Sequence, residues 1–133
     1  MNQFILMALL TVVSNNVVAE WEPAMYNRGN TQLTYVDAST IHKTDNGFKM
    51  WSMVDLKTPD YDGNKSYMSM KNQIEYDCKG GRIRGLFTSV HSKNLGRGNL
   101  VNSDSNIYNW APVPIGSTGE MLWKIACGIL KPH

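Results

Sequence analysis

Histidine and cysteine are scarce in this chain, three and two among 133 residues, and the shortage excludes most of the chemistry a small protein could carry. His42, His91 and His133 have no partner at ligand spacing, and metal sites need clustered ligands. Serine and aspartate occur as well, so composition leaves a Ser–His–Asp arrangement open, but no nucleophile-elbow motif supports it. Charge of one sign is also lacking: the net charge is +2, and the basic residues are scattered. The densest basic group, Lys79 to Arg84, is too short for a nucleic-acid footprint and reads as a solvated hairpin end. Outside residues 1–19 no apolar run approaches the roughly 20 residues that a bilayer requires. Asp60, Asp62, Asn64 and Ser66 alternate as the start of a calcium loop does. The glycine, however, falls at Gly63 rather than at the sixth position, and Lys71 stands where a bidentate Glu belongs, so a turn is the better reading. No cofactor, metal or enzymatic activity is expected.

What is present begins with a leader. Phe4 to Val13 is apolar, Ser14-Asn15-Asn16 breaks it, and Val17 and Ala19 suit the two cleavage-site positions before Glu20. Residues 1–19 therefore read as a secretory signal peptide, although the first residues lack Lys and Arg. A membrane anchor is the weaker alternative, since Phe4–Val13 is too short to span. No cysteine follows Ala19, so lipid attachment at a new N-terminus is not available. Residues 20–133 then form one domain, small enough that a covalent tie would help it. Two cysteines in an exported chain predict one bridge, Cys78–Cys127, worth about 4 kcal/mol by loop-closure entropy.

The domain reads as α+β: a single antiparallel sheet of five to six strands against one C-terminal helix. Trp21 can pin the N-terminus to the sheet. Leu33–Val36 is a short extended run, Asp37-Ala38-Ser39 supplies turn chemistry, and Thr40–Thr44 is β-prone up to the hairpin signal Asp45-Asn46-Gly47. In Phe48–Leu56 both faces carry apolar residues, the mark of a central strand. Thr58–Asn64 reads as a loop rich in breakers. Met68, Met70, Ile74, Tyr76 and Cys78 share one parity, Gly80-Gly81 turns the chain, and Arg82–Val90 returns with a bulge at Gly85. Ser92–Asn109 is a long polar loop with a weak strand at its centre. Ser117 and Glu120 have capping-box spacing, Met121 to Ile129 repeats at helical spacing, and Gly128 and Pro132 end it. The four tryptophans read mainly as fillers of the sheet–helix core. The two loops hold the residues favoured for binding: Tyr61, Asp62 and Asn64 in the first, Lys93, Arg97 and Tyr108 in the second.

Several short pieces, in order, resemble the surface-adhesin protein E family of Gram-negative bacteria. They are Trp21, Tyr35-Val36-Asp37 with Ile41, and Gly47-Phe48-Lys49-Met50-Trp51, then Tyr76-Asp77-Cys78 with Arg82 and Arg84. Trp110, Pro114-Ile115-Gly116-Ser117 with Glu120, and Cys127 complete the set. The resemblance covers nearly all of residues 20–133 and implies the same sheet-plus-helix fold. It also implies protein partners, among them host extracellular-matrix and plasma proteins, and a place in the envelope: periplasm, cell surface or secreted. The missing lipobox cysteine departs from a tethered adhesin. The rival expectation is a periplasmic structural or accessory protein of the envelope without an adhesive role.

Overall fold

The computed structural model describes residues 18–132, so most of the expected leader, residues 1–17, lies outside the described residues. The rest forms one antiparallel sheet with strands in chain order: β1 (Glu22–Tyr26), β2 (Gln32–Lys43), β3 (Phe48–Asp62), β4 (Lys65–Asp77), β5 (Arg82–His91) and β6 (Leu100–Asp104). A two-residue strand β7 (Ala111–Pro112) pairs with the beginning of β5, and a helix α1 (Thr118–Ala126) closes the chain. Every neighbour along β1–β6 is joined by a short connection except β5–β6, whose link folds back on the sheet.

Breaker residues bend these strands where the sequence suggests they would end them. Asp37-Ala38-Ser39 does not reverse the chain; it makes a bulge within β2, with residues 38–41 opposite Met50 alone. The Asp37 carboxylate accepts from the Ser39 N–H (3.1 Å) and hydroxyl (2.5 Å). The Thr40 hydroxyl donates to Asp37 O (2.6 Å) and accepts from Trp51 N–H (3.0 Å), replacing the ladder acceptor that the bulge removes. The expected loop at Thr58–Asn64 is likewise strand. β3 runs through Pro59 to Asp62, with residues 56–59 bulged opposite Met68, and Gly63-Asn64 alone make the turn. Pro59 has no N–H to contribute, which suits an unpaired bulge position. In β5 the bulge falls at Gly85-Leu86, as the parity break predicts: Gln73 faces Phe87 and Ile74 faces Gly85, leaving Leu86 extra.

One face of the sheet carries Val36, Met50 and Tyr76, fully buried beneath Leu122, Ile125 and Ala126 of α1. Ala24, Ile41, Ile74 and Ile83 pack around that cluster. Of the tryptophans only Trp123 joins it, donating from Nε1 to Asp77 O at 3.0 Å. The expectation that the tryptophans mainly fill this core is corrected: Trp51 alternates with Met50 and so points to the opposite face. Ser117 caps α1 by accepting from Glu120 N–H (3.1 Å), while the Glu120 carboxylate reaches Gly116 N–H. The helix ends at Ala126, three residues before the expected Ile129. Gly128 takes φ +77°, its N–H bonds Ile125 O, and Ile129 N–H bonds Lys124 O, a Schellman ending. Cys127, at that C-cap, is bonded to Cys78 just after β4, as expected.

Candidate functional site

On the face turned away from α1, cross-strand neighbours build two rows. Trp51, Gln73 and Phe87 make the first, with the Trp51 and Phe87 rings edge to face at 5.7 Å. Lys49, Glu75 and Arg84 make the second, and Trp110 lies beside it with the Arg84 guanidinium 4.4 Å above its ring and that of Arg82 at 5.2 Å. Arg84 donates to Glu75 (Nη2–Oε1 2.7 Å) and Arg82 to Asp77 (Nη2–Oδ2 2.7 Å). Burial alone would raise the Glu75 pKa, but hydrogen bonds from Thr44, Arg84 and Asn46 together with the Arg84 charge hold it below the usual range. Asp77 is lowered first by the Gly80 N–H and then by Arg82. Both arginines are thus satisfied within the fold, and this end of the face is scaffold.

Of several surface recesses, including one of about 420 Å³ beside Asp45-Asn46-Gly47 and Cys78, two adjoin the tryptophan row and the expected binding loops. On the open face Trp21, Trp51, Asp37, Thr40 and Lys71 line a shallow hollow of about 320 Å³. On the helix side, beyond the reach of α1, a groove of about 380 Å³ runs along β6, lined by Asp62, Thr88, Val90, Asn102, Ser103, Asp104 and Tyr108. Asn102 Nδ2 donates to Asp62 Oδ2 at 2.7 Å, drawing the tip of the β3–β4 hairpin over the groove. The Tyr108 hydroxyl donates to Asp104; this bond lowers the Asp104 pKa and raises that of Tyr108. Tyr108 is anchored through its own N–H to Gly85 O (3.1 Å), yet its side chain stays largely exposed.

The six binding residues expected from sequence are therefore divided. Asp62 and Tyr108 meet in the β6 groove, and Tyr61 and Asn64 are exposed beside it on the hairpin tip. Lys93 and Arg97 belong to a turn folded onto the opposite face, where Ser69 Oγ donates to Lys93 O (2.5 Å) and Leu95 N–H donates to Asp55 Oδ1 (2.8 Å). Their side chains are exposed, but they do not join the groove. Sequence reasoning missed Thr88, Val90, Asn102 and Asp104. The two from β6 sit in a short polar strand whose only signal is a weak extended run. Among the described residues no group of three or more His, Cys, Asp or Glu side chains could hold a metal. No described helix is long and apolar enough to cross a membrane.

Residues 21–128 match the family model described as Surface-adhesin protein E. No curated protein matches the chain. Solved structures of Haemophilus influenzae protein E share the fold. Crystal form II superposes with a TM-score of 0.64 at 13% identity, covering 86% of this chain and 92% of that one. A second structure of the same protein gives 0.62 at 13%, covering 86% and 89%.

Proposed function

The chain belongs to the surface-adhesin protein E family, and from that premise we propose an exported, non-enzymatic module that binds protein partners along β6 and its groove. The observation carrying this reading is the open β6 edge. At the other end of the sheet, β1 is guarded by Pro23 and by a bulge between Pro23 and Met25, both of which discourage added strands. β6 also carries a bulge, with Val101 extra opposite Val90 and His91, but it contains no proline, so every residue along it keeps an N–H to donate. Its flank carries exposed Leu100, Ile107 and Tyr108, and the groove supplies Asp62, Asn102 and Asp104 for polar contacts. An extended partner segment could add as a strand, with Tyr108 as the aromatic anchor.

As partners we propose host extracellular-matrix and plasma proteins, met at the cell surface or after secretion; membership of an adhesin family supports protein partners in general. Residues 20–133 immobilised and titrated with such proteins should bind saturably, and Tyr108→Ala should weaken binding at least tenfold, as loss of an anchor does. Binding no better than a denatured control removes the reading. Protein found only in osmotic-shock fluid, and never cut by protease on intact cells, favours the periplasmic accessory role instead.

A further inference from the structure

Three carboxylates are buried among the described residues: Asp37, Glu75 and Asp77. Glu75 and Asp77 each face an arginine, as a buried charge requires. Asp37, only 2% exposed, takes part in no ion pair among the described residues. One of its oxygens is occupied by Ser39. The other, Oδ2, accepts from the backbone N–H of Glu20 at 3.0 Å. Glu20 is the residue that the leader reading places first in the processed chain, and Ala19 lies against the same recess as Asp37.

We propose that Asp37 is the receptor for the α-ammonium group created when the chain is cut between Ala19 and Glu20. The inference rests on the leader reading and is independent of what the domain binds. Hydrolysis breaks the Ala19–Glu20 C–N bond and consumes one water: hydroxyl joins the Ala19 carbonyl carbon, and hydrogen joins the Glu20 nitrogen. At neutral pH the new carboxyl group loses its proton and the amine takes one up, so Glu20 becomes a cation at the place where its N–H already meets Asp37. The atom stays and its charge changes. A neutral N–H···O⁻ bond becomes a charge-assisted pair, and the buried carboxylate gains the counter-ion its two counterparts already have. Removal of the leader would thereby strengthen an existing tie between the start of the domain and the β2 bulge.

The pair has a defined pH signature. Its ammonium pKa is raised above the unfolded value of about 7.7–8.0, so the stabilisation is complete below that value and is lost as pH rises through the folded one. Other ionisable groups around Asp37 are His42 on its own strand, Lys49 on β3, Lys71 on β4 and the Glu20 side chain itself. All of these are shared by the chains compared below, so they cancel in a ratio.

Three chains ending at His133 are unfolded in urea at pH 6.5 and pH 10: one starting at Glu20, one retaining Val18-Ala19, and one starting at Nα-acetylated Glu20. At pH 6.5 the folding equilibrium constant of the Glu20 chain should exceed the other two by about five- to tenfold, the gap between neutral and charge-assisted bonds. The ratio should fall towards one at pH 10 and in Asp37→Asn versions of all three. If Asp37→Asn does not fold, the pH comparison decides alone. A ratio within twofold of one at pH 6.5, or one that survives at pH 10, overturns the proposal. So does a mass of the exported protein that places the cut anywhere but Ala19–Glu20. Neither measurement involves a binding partner, so failure here is distinct from failure of the adhesive reading.

Discussion

Removing the Cys78–Cys127 bridge should lower stability by about 4 kcal/mol, and the native structure should survive the change. The bridge joins residues 49 apart. In the chain-entropy model a loop of that length, freed in the unfolded state, costs about 4 kcal/mol at 25 °C. The native state has other means of holding α1. Leu122, Ile125 and Ala126 are buried on the sheet, Trp123 donates to Asp77 O, and the C-terminal Schellman bonds do not involve sulfur. A Cys78→Ala/Cys127→Ala variant should therefore keep its far-UV spectrum and its urea m-value. Unfolding entropy near 2.1 cal/mol/K per residue turns the loss into a fall in Tm of about 15 °C for a domain this size. The assay is paired urea and thermal unfolding of the oxidised protein and the variant. A midpoint shift below about 1 kcal/mol, with the helix retained, would refute the entropic argument. Loss of helical signal before global unfolding would refute it differently, by showing that the bridge holds α1 in the native state.

Three further outcomes follow from single contacts. A Cβ at Gly47 would overlap the Tyr76 carbonyl oxygen, so Gly47→Ala should cost about 1–3 kcal/mol by urea titration, as overpacking does. The Tyr76 hydroxyl is fully buried with no hydrogen-bond partner among the described residues, and burial raises its pKa; Tyr76→Phe should therefore be neutral or stabilising, and a loss above about 1 kcal/mol would reveal a missing partner. Glu75 and Asp77 have pKa values lowered on folding, so their contribution is present above the unfolded carboxylate range near pH 4 and is lost as pH falls through the lower folded values. Acid unfolding should accordingly shift to higher pH in Arg84→Met, followed by circular dichroism from pH 6 to pH 2.

Local rules carried the reading of this chain wherever neighbours in sequence are neighbours in space. The Asp45-Asn46-Gly47 and Gly80-Gly81 turns, the Gly85 bulge and the Ser117 cap were all readable, because each depends on a few adjacent residues. Asp37-Ala38-Ser39 and Thr58–Asn64 misled for the same reason. Asp, Ser and Pro remove or redirect ladder bonds, but whether the chain then turns or merely bulges depends on the strand beside it. Asp37 pairs with Trp51 of β3, and Trp51 pairs in turn with Gln73 of β4, and nothing local to Asp37 reports that frame. The groove was the least readable part. Asp62 and Asn102 are 40 residues apart and meet only because β6 joins the sheet with β4 and β5 between it and β3. Trp51 could have been placed correctly: its parity is opposite to that of Met50, and that alternation outweighs the habit of burying tryptophan.

The strands have a stiff end and an open one, and that division says where binding belongs. At the stiff end lie the disulfide, the Arg82–Asp77 and Arg84–Glu75 pairs, the Trp110 stack, the close approach at Gly47 and the helix. Each of those groups already has its partners, so a ligand arriving there would have to break bonds to form new ones. Towards the other end the strands outrun the helix. Tyr61, Leu100, Ile107 and Tyr108 are left to solvent, β6 keeps an unpaired edge, and the groove polar groups are tied to one another by short side-chain bonds. Such bonds can be exchanged for a partner's at little net cost, while the anchored end keeps the frame rigid and limits the entropy lost on association. Variants at Arg84 or Cys78 should therefore alter stability and leave partner affinity unchanged in whatever fraction remains folded. Tyr108→Ala should do the reverse, and equal effects of both classes on affinity would remove the division on which the assignment of β6 depends.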